Sequence, residues 1–157
     1  MNRDLIQLLI RSLEVSLSGQ PWFGRSVYEL LGEVDKSKVY VKPNHSEHSL
    51  IELLYHMNTW ADFTLRRLQG DKEHDLTASE ELDWREIDPS KHTWEQGIEE
   101  FKSIHEKIVA LLQTRDDEFL KEIVDYKQYN FRFLVNGLIQ HNIYHLGQIA
   151  YLNKLLT

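Results

Sequence analysis

Hydrophobic positions along the chain recur at helical spacing, and four long segments carry the pattern. From about Asn2 to Leu17, Leu5, Leu9 and Leu13 fall four residues apart, with Ile6, Ile10 and Leu17 beside them. That spacing marks one apolar face of a helix. Gly19-Gln20-Pro21 ends or bends it. A shorter helical stretch, Ser26 to Leu31, is predicted to stop at Gly32 as a C-cap, and residues 33 to 47 read as loop. The second long helix is predicted over about Ser49 to Gln69. Ser49 with Glu52 forms a capping-box signature, Leu50, Leu53, Leu54, Met57, Trp60, Ala61 and Leu68 make a broad stripe, and Gly70 is the stop. Residues 70 to 92 are polar, with Pro89 near their end, and read as a long connection. The third long helix is predicted over Trp94 to Gln113, opened by Thr93 with Gln96, and striped by Trp94, Ile98, Phe101, His105, Ile108, Val109 and Leu112. The fourth runs over Phe131 to Leu156, with Leu134, Leu138, His141, His145, Ile149, Leu152 and Leu156 on one face.

Four amphipathic helices without a strand pattern predict an all-α fold, a four-helix bundle. The 157 residues suit one domain, 1–157. Prolines at 21, 43 and 89 interrupt none of the long periodic stretches. The connection between the second and third long helices is long enough for a topology other than simple up-and-down, and connections of this length are often functional.

Charge and composition narrow the function classes. Lys and Arg number 18 against 25 Asp and Glu, a net charge of -7. A general nucleic-acid binder would carry a basic face, so none is expected, and anionic membrane surfaces are disfavoured too. No apolar run approaches the roughly 20 residues of a membrane span, and no signal-peptide core is present. Cysteine is absent, which excludes disulfides, thiolate zinc sites and a cysteine nucleophile. A cytoplasmic location is the expectation.

The histidines carry the candidate chemistry. His141 and His145 lie four residues apart and project from one face of the fourth long helix, where Leu or Ile would be expected. A buried imidazole without a partner costs about 1–3 kcal/mol. Two adjacent ones need a shared explanation, and a divalent metal supplies it. Core histidines bonded to carbonyls or waters are the plainer alternative. His56, on the shoulder of the second helix's stripe, is the best candidate for a third ligand. Three imidazoles with open coordination positions suit catalysis more than structure, and zinc, nickel, iron or copper all accept such ligands. His105 also lies in a core stripe, as a core residue with its own partner or as a further member of the site. His45, His48, His74 and His92 fall in loops or at helix starts, where solvated surface is expected.

Residues 137 to 149, Gly137-Leu-Ile-Gln-His141-Asn-Ile-Tyr144-His145-Leu-Gly147-Gln148-Ile149, resemble the last-helix motif of the DinB-like superfamily, also described as the YfiT-like metal-dependent hydrolases. Residues 49 to 60, with His56, look like that family's second-helix motif. Pro21-Trp22-Phe23-Gly24-Arg25-Ser26-Val27 is similar to the opening of a common subgroup. The resemblance implies a four-helix bundle with a long crossover and a three-histidine metal site, with His56, His141 and His145 as ligands by position. It also implies a homodimer. Some relatives are S-transferases that use low-molecular-weight thiols such as bacillithiol or mycothiol.

Such a transferase would favour the thiolate of a thiol held at the metal, whereas a hydrolase would activate water there. Both would act on a small-molecule substrate at the bundle mouth, shaped by residues 33–47 and 70–92. A non-catalytic metal- or ligand-binding dimeric bundle, serving a stress response, is the competing reading. Gln148, three residues after His145, is a candidate supporting group. Glu52 is a candidate partner for His56, although the capping role is favoured. Tyr144 is assigned packing, an interface or function. Trp60 is placed in the core near the site, and Trp22 and Phe23 in core or dimer contacts. Gly137 and Gly147 are expected to permit close helix approach.

Overall fold

The computed structural model describes residues 1–43 and 48–157. Among the described residues the α-helices are α1 (Asp4–Ser18), α2 (Val27–Glu33), α3 (Leu50–Gln69), α4 (Leu76–Leu82), α5 (Trp94–Gln113) and α6 (Phe131–Leu156). The four long helices have the predicted periods and nearly the predicted ends. Ser49 accepts from Glu52 N while the Glu52 side chain accepts from Ser49 N, closing the capping box of α3. Gly70 ends that helix in the left-handed region at φ 69°, a conformation open to glycine at little cost. Thr93 and Asn130 cap α5 and α6 through their side-chain oxygens.

The shorter segments differ from expectation. Gly32 lies inside α2 and is not its cap; Val34, extended, follows the last turn. Residues 33 to 43 include a 3-10 turn at Lys36–Lys38, and the remainder of that predicted loop, with His45, lies outside the described residues. The 70–92 connection contains α4, opened by an Asp75 cap on Ala78 N. Leu5 is 38% exposed, so the buried face of α1 is Ile6, Leu9, Ile10, Leu13 and Leu17. Trp22 is wholly exposed and Phe23 half exposed, so neither belongs to the core.

α3 packs against both α5 and α6, and α1 also packs against both. The N-terminal halves of α3 and α5 meet: Tyr55 Oη donates to Thr93 O at 3.0 Å, and Asn58 Nδ2 to Gly97 O at 3.0 Å. These neighbours therefore run parallel, and the 70–93 segment returns the chain from one end of the bundle to the other. α6 runs antiparallel to α3, and α1 antiparallel to α5, where Arg3 reaches the carbonyls of Gln113 and Arg115. The result is an all-α bundle with a long crossover. Gly97 lets α5 approach α3: a Cβ there would stand 2.6 Å from Leu54 Cδ2 and 3.0 Å from Tyr55 Cε2. At Gly137 and Gly147 a Cβ would meet nothing within 4 Å, so the expected close approach at these two positions is absent among the described residues.

α1 lacks a side-chain cap of its own. Asp117, only 5% exposed, supplies one from the segment after α5 by accepting from Ile6 N at 2.9 Å and Leu5 N at 3.2 Å. Anionic oxygens are well placed against the unpaired N–H groups of a first turn. Asp117→Ala should therefore lower the unfolding free energy by about 1–3 kcal/mol. Urea denaturation reads this directly; an unchanged midpoint would remove the cap from any account of stability.

Candidate metal centre

α3 is buried on most of its circumference, which carries His56 into the core, 7% exposed. The antiparallel α6 presents His141 and His145 at the same level. The three Nε2 atoms form a near-equilateral triangle: His56 to His141 3.1 Å, His56 to His145 3.0 Å, and His141 to His145 3.1 Å. All three sequence-predicted histidines are thus brought together, and the cluster could hold a metal ion.

The far nitrogens explain why the near ones converge. His145 Nδ1 lies 2.6 Å from Gln148 Oε1, a carbonyl that can only accept, so Nδ1 carries the proton and Nε2 a lone pair. His56 Nδ1 is 2.6 Å from Asp83 Oδ1, which likewise favours a proton on Nδ1. That approach is off the axis of a well-directed hydrogen bond, so it acts mainly as an electrostatic contact. His141 Nδ1 is buried without a partner. The lone pairs of His56 and His145 face one another at 3.0 Å and repel unless a cation, or a proton on His141 Nε2, lies among them. Nitrogens bound at about 2.0–2.1 Å to one first-row ion lie roughly 3 Å apart, so the triangle has a fitting size. Three neutral nitrogens suit a borderline divalent ion.

Burial is the largest influence on each ring and holds all three pKa values below the ordinary histidine value; His141 falls to about 3. Mutual repulsion adds to this, from His145 on His56 and from both neighbours on His141, while Asp83 opposes it. The rings are therefore neutral at pH 7, the state in which a metal binds.

His105 stands apart. Its Nδ1 donates to Phe101 O at 2.8 Å and its Nε2 accepts from Asn142 Nδ2 at 2.9 Å, so both nitrogens are used. It is a core histidine tying α5 to α6, and burial lowers its pKa to about 4. His48, His74 and His92 are less solvated than expected. His48 stacks on Trp84, His92 Nδ1 accepts from Asp88 N, and His74 Nδ1 is buried.

The carboxylate beside His56 is Asp83, while Glu52 stays in its cap and pairs with Lys42. Asp83 also accepts from Trp60 Nε1 at 2.7 Å. Trp84 lies flat on His56, ring centroids 3.9 Å apart at 5°, and its opposite face stacks on His48 at 3.6 Å. Arg85 donates to Thr59 Oγ1 at 2.6 Å, fastening this stretch of the crossover to α3. Asp83 and Trp84 were missed from sequence because they lie in an aperiodic polar segment. An Asp-Trp pair in a long connection was the available signal.

Two pockets flank the cluster. The expected one, between Tyr40, Lys42 and residues 48–52 on one side and 84–89 on the other, is closed from His56 by Trp84, which lines it. The other, of about 420 Å³, includes His141 and is walled by α3, α4, α6 and residues 127–133. Tyr144 is exposed beside His145 and lines neither.

A parallel-crossover helix bundle with a buried three-histidine cluster is the class that fold and site define. A model of the DinB superfamily matches residues 24–149, and the chain belongs to that family. No curated protein matches it. No helix among the described residues is long and apolar enough to cross a membrane.

The pKa directions fix a pH dependence. Unfolded histidine titrates near 6.5, and His56, His105, His141 and His145 all titrate lower when folded. The unfolded chain therefore binds more protons below 6.5, and stability falls as pH drops from about 6.5 towards 4. Urea unfolding at several pH values should show this fall, shallower in His105→Gln. A rise in stability over that window would contradict the buried neutral rings.

Proposed function

We propose that this chain is a divalent-metal enzyme acting on a small molecule, with His56, His141 and His145 as its ligands. The observation that carries the reading is the convergence of three Nε2 atoms beside a pocket that includes His141. When bound, zinc, nickel or iron would supply Lewis acidity that favours the thiolate of a low-molecular-weight thiol or activates water for hydrolysis. Thiol S-transfer is the favoured reaction, because it is the activity that resemblance to characterised relatives implies. Asp83 and Gln148 hold protons on the far nitrogens of His56 and His145 and so aim both Nε2 atoms inward. The stacked Trp84 ring covers one face of His56.

A homodimer is also proposed. Phe133, Tyr144, Tyr151 and Leu155 are exposed along one side of α6, together with the open backbone at Gly147. Dimer interfaces are enriched in such aromatic side chains. A cytoplasmic location accords with the cysteine-free sequence.

Protein purified without a histidine tag should contain near one equivalent of divalent metal by mass spectrometry, and the His141→Ala, His145→Ala double variant none. No metal in either after incubation with zinc, nickel or iron would defeat the proposal. Asp83→Ala should retain the fold and weaken metal affinity about 10–100-fold in a competition titration. Unchanged affinity would reduce Asp83 to an anchor for the crossover.

A further inference from the structure

The pocket beside His141 has two unlike ends. Trp60, Phe63, Tyr129 and Phe133 supply an aromatic wall, and His141 lies at one margin. Lys127 also lines it, brought there by a tight reversal in which Val124 N donates to Tyr129 O and Lys127 N to Val124 O. The Lys127 ammonium stands 5.7 Å from the centroid of the Phe63 ring. A second cation lies at the same ring. The Arg67 guanidinium is 5.5 Å from the Phe63 centroid, and the residue is 1% exposed. It donates to the carbonyls of Asp71 and His74 and lies 5.2 Å from the Tyr126 centroid as well, outside the pocket lining, while its Nε and Nη1 have no hydrogen-bond partner. The neighbouring Asp71 carboxylate is taken by Arg66 at 2.9 Å. Among the described residues no carboxylate pairs with Arg67 or Lys127.

A buried charge without a counter-ion is costly, and the cost falls when an anion comes near. Low-dielectric aromatic walls also extend the reach of such a field along a pocket. Glu80 lines the same space from the exposed side of α4, where solvent screens it. From these groups we infer that the pocket binds an aromatic carboxylate. Its ring lies against Trp60 and Phe133, its carboxylate at Lys127 within the field of Arg67, and the end that reacts at His141. A volume of about 420 Å³ suits a molecule of one or two rings. Only the identity of the reacting end rests on the proposed metal chemistry; the anionic end stands without it.

The test titrates phenylpropanoate, its neutral amide and acetate into the full chain by calorimetry, before and after chelation, with metal content measured on the same samples. The carboxylate should bind in both states, and at least about tenfold more tightly than the amide. Acetate, which lacks the ring, should bind far more weakly. Lys127→Met should erase the preference for carboxylate and leave amide binding unchanged. Gly137→Leu should abolish both, because its side chain enters the pocket from a position where an added Cβ meets nothing within 4 Å. Circular dichroism confirms that each variant is folded. Binding that disappears on chelation and ignores Lys127→Met would put the carboxylate at the histidines and overturn the inference. Equal affinity for the amide, or no binding of either, would also overturn it. Carboxylate binding by a chain that takes up no metal would defeat the proposed enzyme and leave the pocket assignment standing. Metal uptake without carboxylate binding would do the reverse.

Discussion

Three imidazoles in one small volume of a protein core can hold a single cation only if all three stay neutral and turn a lone pair towards it. Charge on any ring would face both burial and its neighbours, which is why the His141 pKa falls to about 3. The surroundings of the triad meet that condition group by group. Gln148 and Asp83 occupy two of the far nitrogens, Trp84 covers the His56 ring, and α3 and α6 place the rings at one level. The helices supply position, and the crossover supplies the contacts that orient His56.

The four long helices and most of the histidine cluster were legible because each rests on short-range pattern. A stripe, a cap and a stop lie within a few turns of one another, as in Ser49, Glu52 and Gly70. His141, His145 and Gln148 sit on a single helix, so their mutual placement follows from the helical repeat alone. His56 was harder, since its meeting with the pair depends on which way α3 runs relative to α6. Its shoulder position and the family motif together pointed to it.

What remained hidden depends on contacts between distant segments. Asp83 and Trp84 have no periodicity to announce them, and their role exists only once the crossover lies on α3. Glu52 satisfied a local rule and kept to it, leaving the histidine to a carboxylate outside any pattern. The glycines make the same point. Gly137 and Gly147 sit in the motif-bearing helix and drew the expectation of close approach, yet the position that needs a missing Cβ is Gly97, opposite Leu54. Composition marks where a small residue stands, whereas only packing shows which one has a neighbour against it.

The parallel run of α3 and α5 has a consequence for how the chain reaches its native state. Consecutive helices in an up-and-down bundle can zip together as local hairpins across short turns. Here α1 makes its principal long-helix contacts with α5 and α6, and α3 with the same two, so each pairing spans a large sequence separation. Loop closure must precede the contacts that reward it. Folding should therefore be slower than is usual for a helical bundle of this size, and the three histidines, drawn from α3 and α6, are assembled only once those two distant helices have packed together.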